Sequence, residues 1–284
     1  MRYLAIVVGV VLAGCTSPSL LPQYMSEAGR SEEGARLALE KIQRELGPGF
    51  DTRAVDGLFF IATNGGLGAL DDAENTIRLI RDHLYSEFMG RRLSRPVRVY
   101  CLRNNATYTE YVRDAYGREP TTPYGFYMAA ERKMVLNLGT GKGTLAHEIV
   151  HPLVGEDFPG VPAWFNEGFA ALFERMKPGT TVPIGNWRIA GLRRAREERR
   201  EVALKTLMET NTDEFYGESR GVHYATARYL CLYLQTRQLL PRFYREFRDS
   251  ANRDPTGIRS LERVTGKTLT EFETEWWEWV LKQR

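Results

Sequence analysis

The sequence has no internal repeat, no long low-complexity tract and little net charge. Its 39 basic and 36 acidic residues leave a formal charge of +3. Phosphate binding usually needs a clustered basic excess, so this balance argues against nucleic acid as a main partner. Membrane-spanning length is also missing from the apolar run Leu4 to Ala13, which is too short to cross a bilayer as a permanent helix. Histidine is scarce, with four residues, and cysteine scarcer, with three. What remains is an ordinary globular composition, 43% hydrophobic and 26% charged, in 284 residues. That length suffices for one large domain or two small ones with a substantial core.

The short apolar run has a positive start at Arg2 and the flanks of a secretory signal. It ends in Leu12-Ala13-Gly14-Cys15, which resembles the lipobox of bacterial lipoproteins. The resemblance implies a signal peptide over 1–14, cleavage before Cys15 and a lipid on that cysteine, hence a membrane anchor. Thr16 in place of Asp favours the outer membrane, so the expected location is the cell envelope, on the periplasmic face of that membrane. An ordinary signal peptide with an accidental cysteine is the alternative. Thr16 to Arg30, with Pro18, Pro22, Gly29 and several serines, reads as a tether. Cys101 lies in a strand-like run and Cys231 in a helix-like run. An oxidising periplasm would permit a disulfide between them, and two buried free thiols fit equally well.

Helical apolar spacing over Glu32 to Leu46 is stopped by Gly47-Pro48-Gly49. A strand at Leu58 to Thr63, a long helix at Leu70 to Met89, a strand at Pro96 to Leu102 and a helix at Ala106 to Tyr116 follow. Two further strands, Gly125 to Ala130 and Lys133 to Leu138, complete a mixed α/β lobe over 31–140. From Gly143 onward the pattern is almost entirely helical: Thr144 to Val150, Trp164 to Met176, Asn186 to Met208, Tyr224 to Arg237, Pro241 to Ser250 and Leu269 to Lys282. The predicted fold class is α+β, a small mixed sheet lobe followed by a helical lobe over 141–284. Chemistry is expected where the two patterns meet.

There the chain reads His147-Glu148-Ile149-Val150-His151. Residues four apart lie on one face of a helix, so the two imidazoles can aim at one point. Glu148, one position round, can reach the same cleft without being a ligand. Two neutral imidazoles leave the charge of a zinc ion intact and call for a third protein ligand, with a fourth position open. Glu167 lies sixteen residues after His151 in Trp164-Phe165-Asn166-Glu167-Gly168-Phe169-Ala170. A helix packed antiparallel to the first would bring its carboxylate to the metal, and its apolar neighbours argue against full exposure. Glu156 and Asp157 are rival third ligands, placed behind because they precede Phe158-Pro159-Gly160 and look like loop residues.

The two segments together resemble the gluzincin (peptidase MA-like) group of zinc metallopeptidases, relatives of the thermolysin and aminopeptidase folds. Weaker similarity extends to Gly143-Thr144-Leu145-Ala146, to Met134–Leu138, to His223-Tyr224-Ala225 and to Thr265-Gly266-Lys267-Thr268-Leu269, so that most of 58–284 is covered. The resemblance implies a zincin-like fold, a Zn2+ cofactor on His147, His151 and Glu167, and hydrolysis of a peptide or protein substrate. It also implies Glu148 as general base towards a zinc-activated water, and a downstream donor to the developing oxyanion. Tyr224 is the first candidate for that donor and His223 the second; a core aromatic is the other reading of Tyr224.

Two departures stand out. Pro152 directly follows the second histidine, removing a helix donor and biasing His151 away from helical angles. Ala171 stands where some relatives carry an acidic residue that orients a histidine. The rival function is a non-catalytic envelope protein that keeps this fold for binding or assembly; an intact Glu148 counts against it. Other features read blandly. Arg193 to Glu201 is a solvated helix face, Trp276, Trp277 and Trp279 cap a core, and Asn64-Gly65-Gly66-Leu67-Gly68 is a loop without the phosphate-binding pattern.

Overall fold

The computed structural model describes residues 32–283, so the signal peptide, Cys15 and the tether expected from the sequence lie outside the described residues. The fold is mixed α+β with a small five-stranded sheet. Two compact units divide it: one takes in 32–81 and 92–156, the other 82–91 and 157–283. No helix among the described residues is long and apolar enough to cross a membrane.

In the first unit, helix α1 (Glu32–Leu46) precedes strands β1 (Asp51–Val55) and β2 (Phe59–Thr63). The connecting turn puts Asp56 and Gly57 at positive φ, 52° and 64°, a conformation those two residue types tolerate. Helix α2 (Leu67–Glu87) leads to β3 (Val97–Leu102), and α3 (Asn105–Tyr116) leads to β4 (Gly125–Met128) and β5 (Lys133–Asn137). The sheet order is β1-β2-β3-β5-β4, with β2, β3 and β5 parallel and the two edge strands antiparallel. Every residue of those three central strands is buried, as expected of parallel strands covered on both faces. Ile61, Val99 and Met134 stand in register across the sheet. One face carries a core of Phe60, Ala62, Tyr100, Leu102 and Val135, closed by Ile42 of α1 and by Tyr108 and Val112 of α3. Local signals set the ends of α3: the Asn104 side chain accepts from the Thr107 amide at 3.0 Å, and Gly117 closes the helix at φ 63°.

Helix α4 (Gly143–Glu148) packs against β4 and β5, and after a one-residue break at Ile149 the chain continues as α5 (Val150–Asp157). The sequence reading ended this helix near Val150. Instead the helix resumes, and Pro152 occupies the third position of α5, inside the first turn, where a missing amide hydrogen is tolerated. The break falls just before the proline, whose nitrogen has no hydrogen to offer the Glu148 carbonyl.

In the second unit, α6 (Ala163–Ala170) runs into a short 3-10 turn (Ala171–Glu174), followed by α7 (Arg188–Glu197), α8 (Leu204–Glu209) and α9 (Thr212–Phe215). Helices α10 (Arg220–Thr236), α11 (Leu240–Ser250), α12 (Ile258–Thr265) and α13 (Leu269–Lys282) complete it. Helix α10 is the axis, buried without interruption from His223 to Leu234 and packed on α6, α7, α11 and α13. The expected single helix from Asn186 to Met208 is two helices. Arg199 sits at φ 52° between them, and α8 is capped by a distant residue, its Leu204 amide donating to Glu273 at 2.9 Å. Asn64-Gly65-Gly66 joins β2 directly to α2, so Leu67 and Gly68, read as loop, are the first helical residues. Trp276 and Trp277 are buried and Trp279 packs on Tyr233 at 5.2 Å, which bears out the core-capping reading. Cys101 and Cys231 are free and buried, so the two-thiol alternative is the one found.

Candidate metal centre

Among the described residues one group of metal-ligating side chains converges: His147, His151 and Glu167. All three are buried, and one ligand atom from each lies within 4.8 Å of the others. The break at Ile149 leaves the two histidines on a common face, their ring centroids 5.0 Å apart. Donors around a tetrahedral zinc sit roughly 3.3–3.6 Å apart, given metal–ligand bonds of about 2.0–2.2 Å. Two imidazoles and a carboxylate are a donor set that suits zinc and its borderline neighbours, so the residues fit a metal ion.

Glu148 is fully buried, and its Oε2 lies 3.9 Å from His151 Nε2. The spacing puts this carboxylate beside the ligand face without making it one of the three. Burial pushes the Tyr108 hydroxyl above its ordinary range, and the negative charge of Glu148 adds to the shift.

Packing of α6 accounts for where Glu167 stands. Trp164, Phe165 and Phe169 enter an aromatic cluster with Phe243, Tyr244 and Phe247 of α11, including a Trp164–Phe247 stack at 5.9 Å. Gly168 faces α10 so closely that a Cβ there would meet the Ala227 carbonyl carbon and oxygen at 2.7 Å. The C-terminal end of α6 is held by Arg228, which donates to the Ala171 and Ile184 carbonyls from a fully buried position. A cation on carbonyls at a helix C-terminus is favourably placed. Arg228 also ties down the strap between the 3-10 turn and α7, where Asn186 and Tyr229 exchange two hydrogen bonds at 3.0 and 3.1 Å.

Asp157 and Glu156, the rival ligands, have other partners. Asp157 Oδ1 accepts from the amides of Gly90 and Arg91 at 2.9 and 2.6 Å; Oδ2 accepts from Tyr244 at 3.0 Å and Arg248 at 2.9 Å. Glu156 accepts from Ser94 at 2.6 Å and faces Arg132 at 3.8 Å.

Downstream candidates divide. Tyr224 is 1% exposed, and burial first, then the charge of Glu167, pushes its hydroxyl well above the ordinary tyrosine range. His223 points elsewhere: its Nδ1 lies 3.0 Å from the Phe215 carbonyl and its ring stacks on Phe215. The sequence reading passed over Tyr216, whose hydroxyl donates to Glu167 Oε1 at 2.6 Å. Its one local signal is the Asn211–Glu214 capping box, which marks a helix start just upstream. Gly168 and Arg228 were also passed over, because close approach and buried pairing belong to tertiary structure. No protein-family model matches this chain, and no curated protein matches it.

Proposed function

We propose that this chain is a zinc-dependent hydrolase with a zincin-like, gluzincin-type fold, acting as a peptidase. The observation that carries the reading is the convergence of buried His147, His151 and Glu167 with a second buried carboxylate, Glu148, beside them. A structural metal site usually closes all four positions with protein ligands, whereas three ligands leave room for water or substrate. Zinc held there would supply Lewis acidity, polarising a scissile carbonyl and acidifying water.

The chain's own residues then divide the work. His147 and His151 bind through neutral imidazole nitrogens, and Glu167 supplies the single negative charge of the ligand set. Glu148 takes up a proton at its carboxylate and returns it to the leaving amine, a role open to a base within hydrogen-bond reach of the reacting atoms. Tyr224, buried beside Glu167, is the candidate to donate to developing negative charge. A lipid anchor at Cys15 and a place in the cell envelope belong to the same proposal and rest on the residues before the described region.

The test is Glu148→Gln in the purified protein. Zinc content should stay near one per chain while hydrolysis of a casein or peptide library falls at least 100-fold. Wild-type protein that takes up no zinc after loading would sink the metal reading. Full complementation of a deletion by Glu148→Gln would favour a non-catalytic role.

A further inference from the structure

We propose that Trp187 forms a substrate subsite beside the metal centre, taking a large apolar side chain within about four residues of the bond that is cut. The inference rests on the hydrolase reading above and deepens it by naming what a peptide substrate must carry.

Trp187 stands between Asn186 and Arg188, which are 4% and 3% exposed, yet it is itself 48% exposed. Of the five tryptophans it alone is exposed. Exposure by itself says little, since single apolar residues are common on protein surfaces. The mount is what sets this one apart. The Arg188 guanidinium lies 4.4 Å from the indole centroid and 5.2 Å from the Tyr224 ring, within cation–π reach of both. Glu174 fixes that guanidinium by accepting from Nη2 at 2.7 Å and from Nε at 3.3 Å. Asn186 donates to the same carboxylate at 3.1 Å, and its Oδ1 accepts from the Arg188 amide at 3.1 Å. The backbone on both sides of the indole is therefore pinned, and an aromatic ring held in advance loses little freedom on binding. All of these residues belong to the second unit.

The same guanidinium ties the indole to the chemistry. Beyond Arg188 lies the Tyr224 ring, whose hydroxyl is hydrogen-bonded to Glu167. Laid end to end, these contacts put the indole no more than about 15 Å from the Glu167 carboxylate. An extended peptide rises about 3.3 Å per residue, so a chain cut at the metal reaches the indole within about four residues.

The surroundings choose the occupant. The π density of the indole is already polarised toward Arg188, which leaves less for a second cation on the open face. The Arg188 side chain is only 2% exposed and paired with Glu174, so it gives an acidic side chain nothing to bind. An aromatic or long aliphatic side chain meets neither obstacle and gains by covering the ring.

The test is a randomised decapeptide library digested by zinc-loaded protein, with cut sites read by mass spectrometry. Wild type should enrich Phe, Tyr, Trp, Leu or Met at one position within about four residues of the cut. Trp187→Ala should lose that enrichment while keeping its zinc, and Trp187→Phe should keep it. A fluorescein-labelled peptide carrying the preferred residue should bind Glu148→Gln about 10- to 50-fold more tightly than Glu148→Gln/Trp187→Ala, read by anisotropy. Enrichment that persists in Trp187→Ala, or equal binding by the two proteins, overturns the inference and leaves the hydrolase reading intact. Enrichment of Lys, Arg, Asp or Glu that depends on Trp187 overturns the apolar class. A lowered melting temperature with the enrichment kept overturns it too, by making the indole no more than a cover for Arg188. Wild-type protein that cuts no peptide of the library removes both readings together.

Discussion

Gly168→Ala isolates how close packing of α6 serves the ligand next to it. The added Cβ would meet three atoms of Ala227 between 2.7 and 2.9 Å, two of them backbone. Carbon contacts settle near 3.5–4.0 Å, so the two helices must part by roughly 0.8 Å or more at this point. Overpacking of this kind costs about 1–3 kcal/mol. Against it stands the gain of replacing glycine by alanine inside a helix, about 1 kcal/mol. The net loss, up to about 2 kcal/mol, corresponds to a fall of up to about 8 °C in melting temperature for a chain of this size. Metal binding is the sharper reporter. A zinc site tolerates ligand displacements of about 0.2 Å, and Glu167 is the residue adjacent to the glycine. Zinc affinity measured by chelator competition should therefore drop at least 10-fold. Adding Ala227→Gly removes the Cβ–Cβ clash and leaves both backbone clashes, so rescue should be partial. Unchanged melting and unchanged affinity in Gly168→Ala would refute the claim that helix proximity positions Glu167.

Asp157→Ala should lower the melting temperature by about 6–20 °C, because it strips partners from a buried tyrosine hydroxyl, two amides and a half-buried arginine, together about 3–5 kcal/mol. Below that temperature it should still bind one zinc, whereas a ligand role for Asp157 would abolish binding. In a Cys15→Ser background neither remaining thiol should react with Ellman's reagent at pH 8 until the protein is unfolded. Burial pushes the Cys101 thiol up to about 12 and raises Cys231 as well, so little thiolate is present at that pH. Rapid modification of the native protein would contradict the described burial.

How far the sequence disclosed the fold depended on whether an element's signals were local. Glu32–Leu46 and Leu269–Lys282 were read at their observed limits. The first is stopped by Gly47-Pro48-Gly49, and the second opens with a capping box between Thr268 and Glu271. Strand β1, Asp51–Val55, was missed because it is an edge strand, mostly half-buried, defined by its pairing with β2. The helix pair within 186–208 was read as one because the cap on Leu204 comes from Glu273, sixty-nine residues away. In the site, the triad His147, His151 and Glu167 was legible from spacing and residue type. Tyr216 was not, since its contact with Glu167 depends on a turn held by the burial of Phe215 and the His223 contact.

Asp157 also bears on how the second unit can be made. That unit is discontinuous, recruiting 82–91 from between two stretches of the first. The amides of Gly90 and Arg91 reach the Asp157 carboxylate across more than sixty residues, and Phe88 lies against Phe169 and Tyr244 at 4.9 and 5.7 Å. A fragment beginning at Asp157 would lack two of the four donors to its own first residue and one aromatic partner of α6. No single backbone cut separates the two units with their contacts complete. The helix carrying Glu167 also packs on α10 and on the aromatics of α11, so its surface is complete only once the chain has been made as far as residue 250.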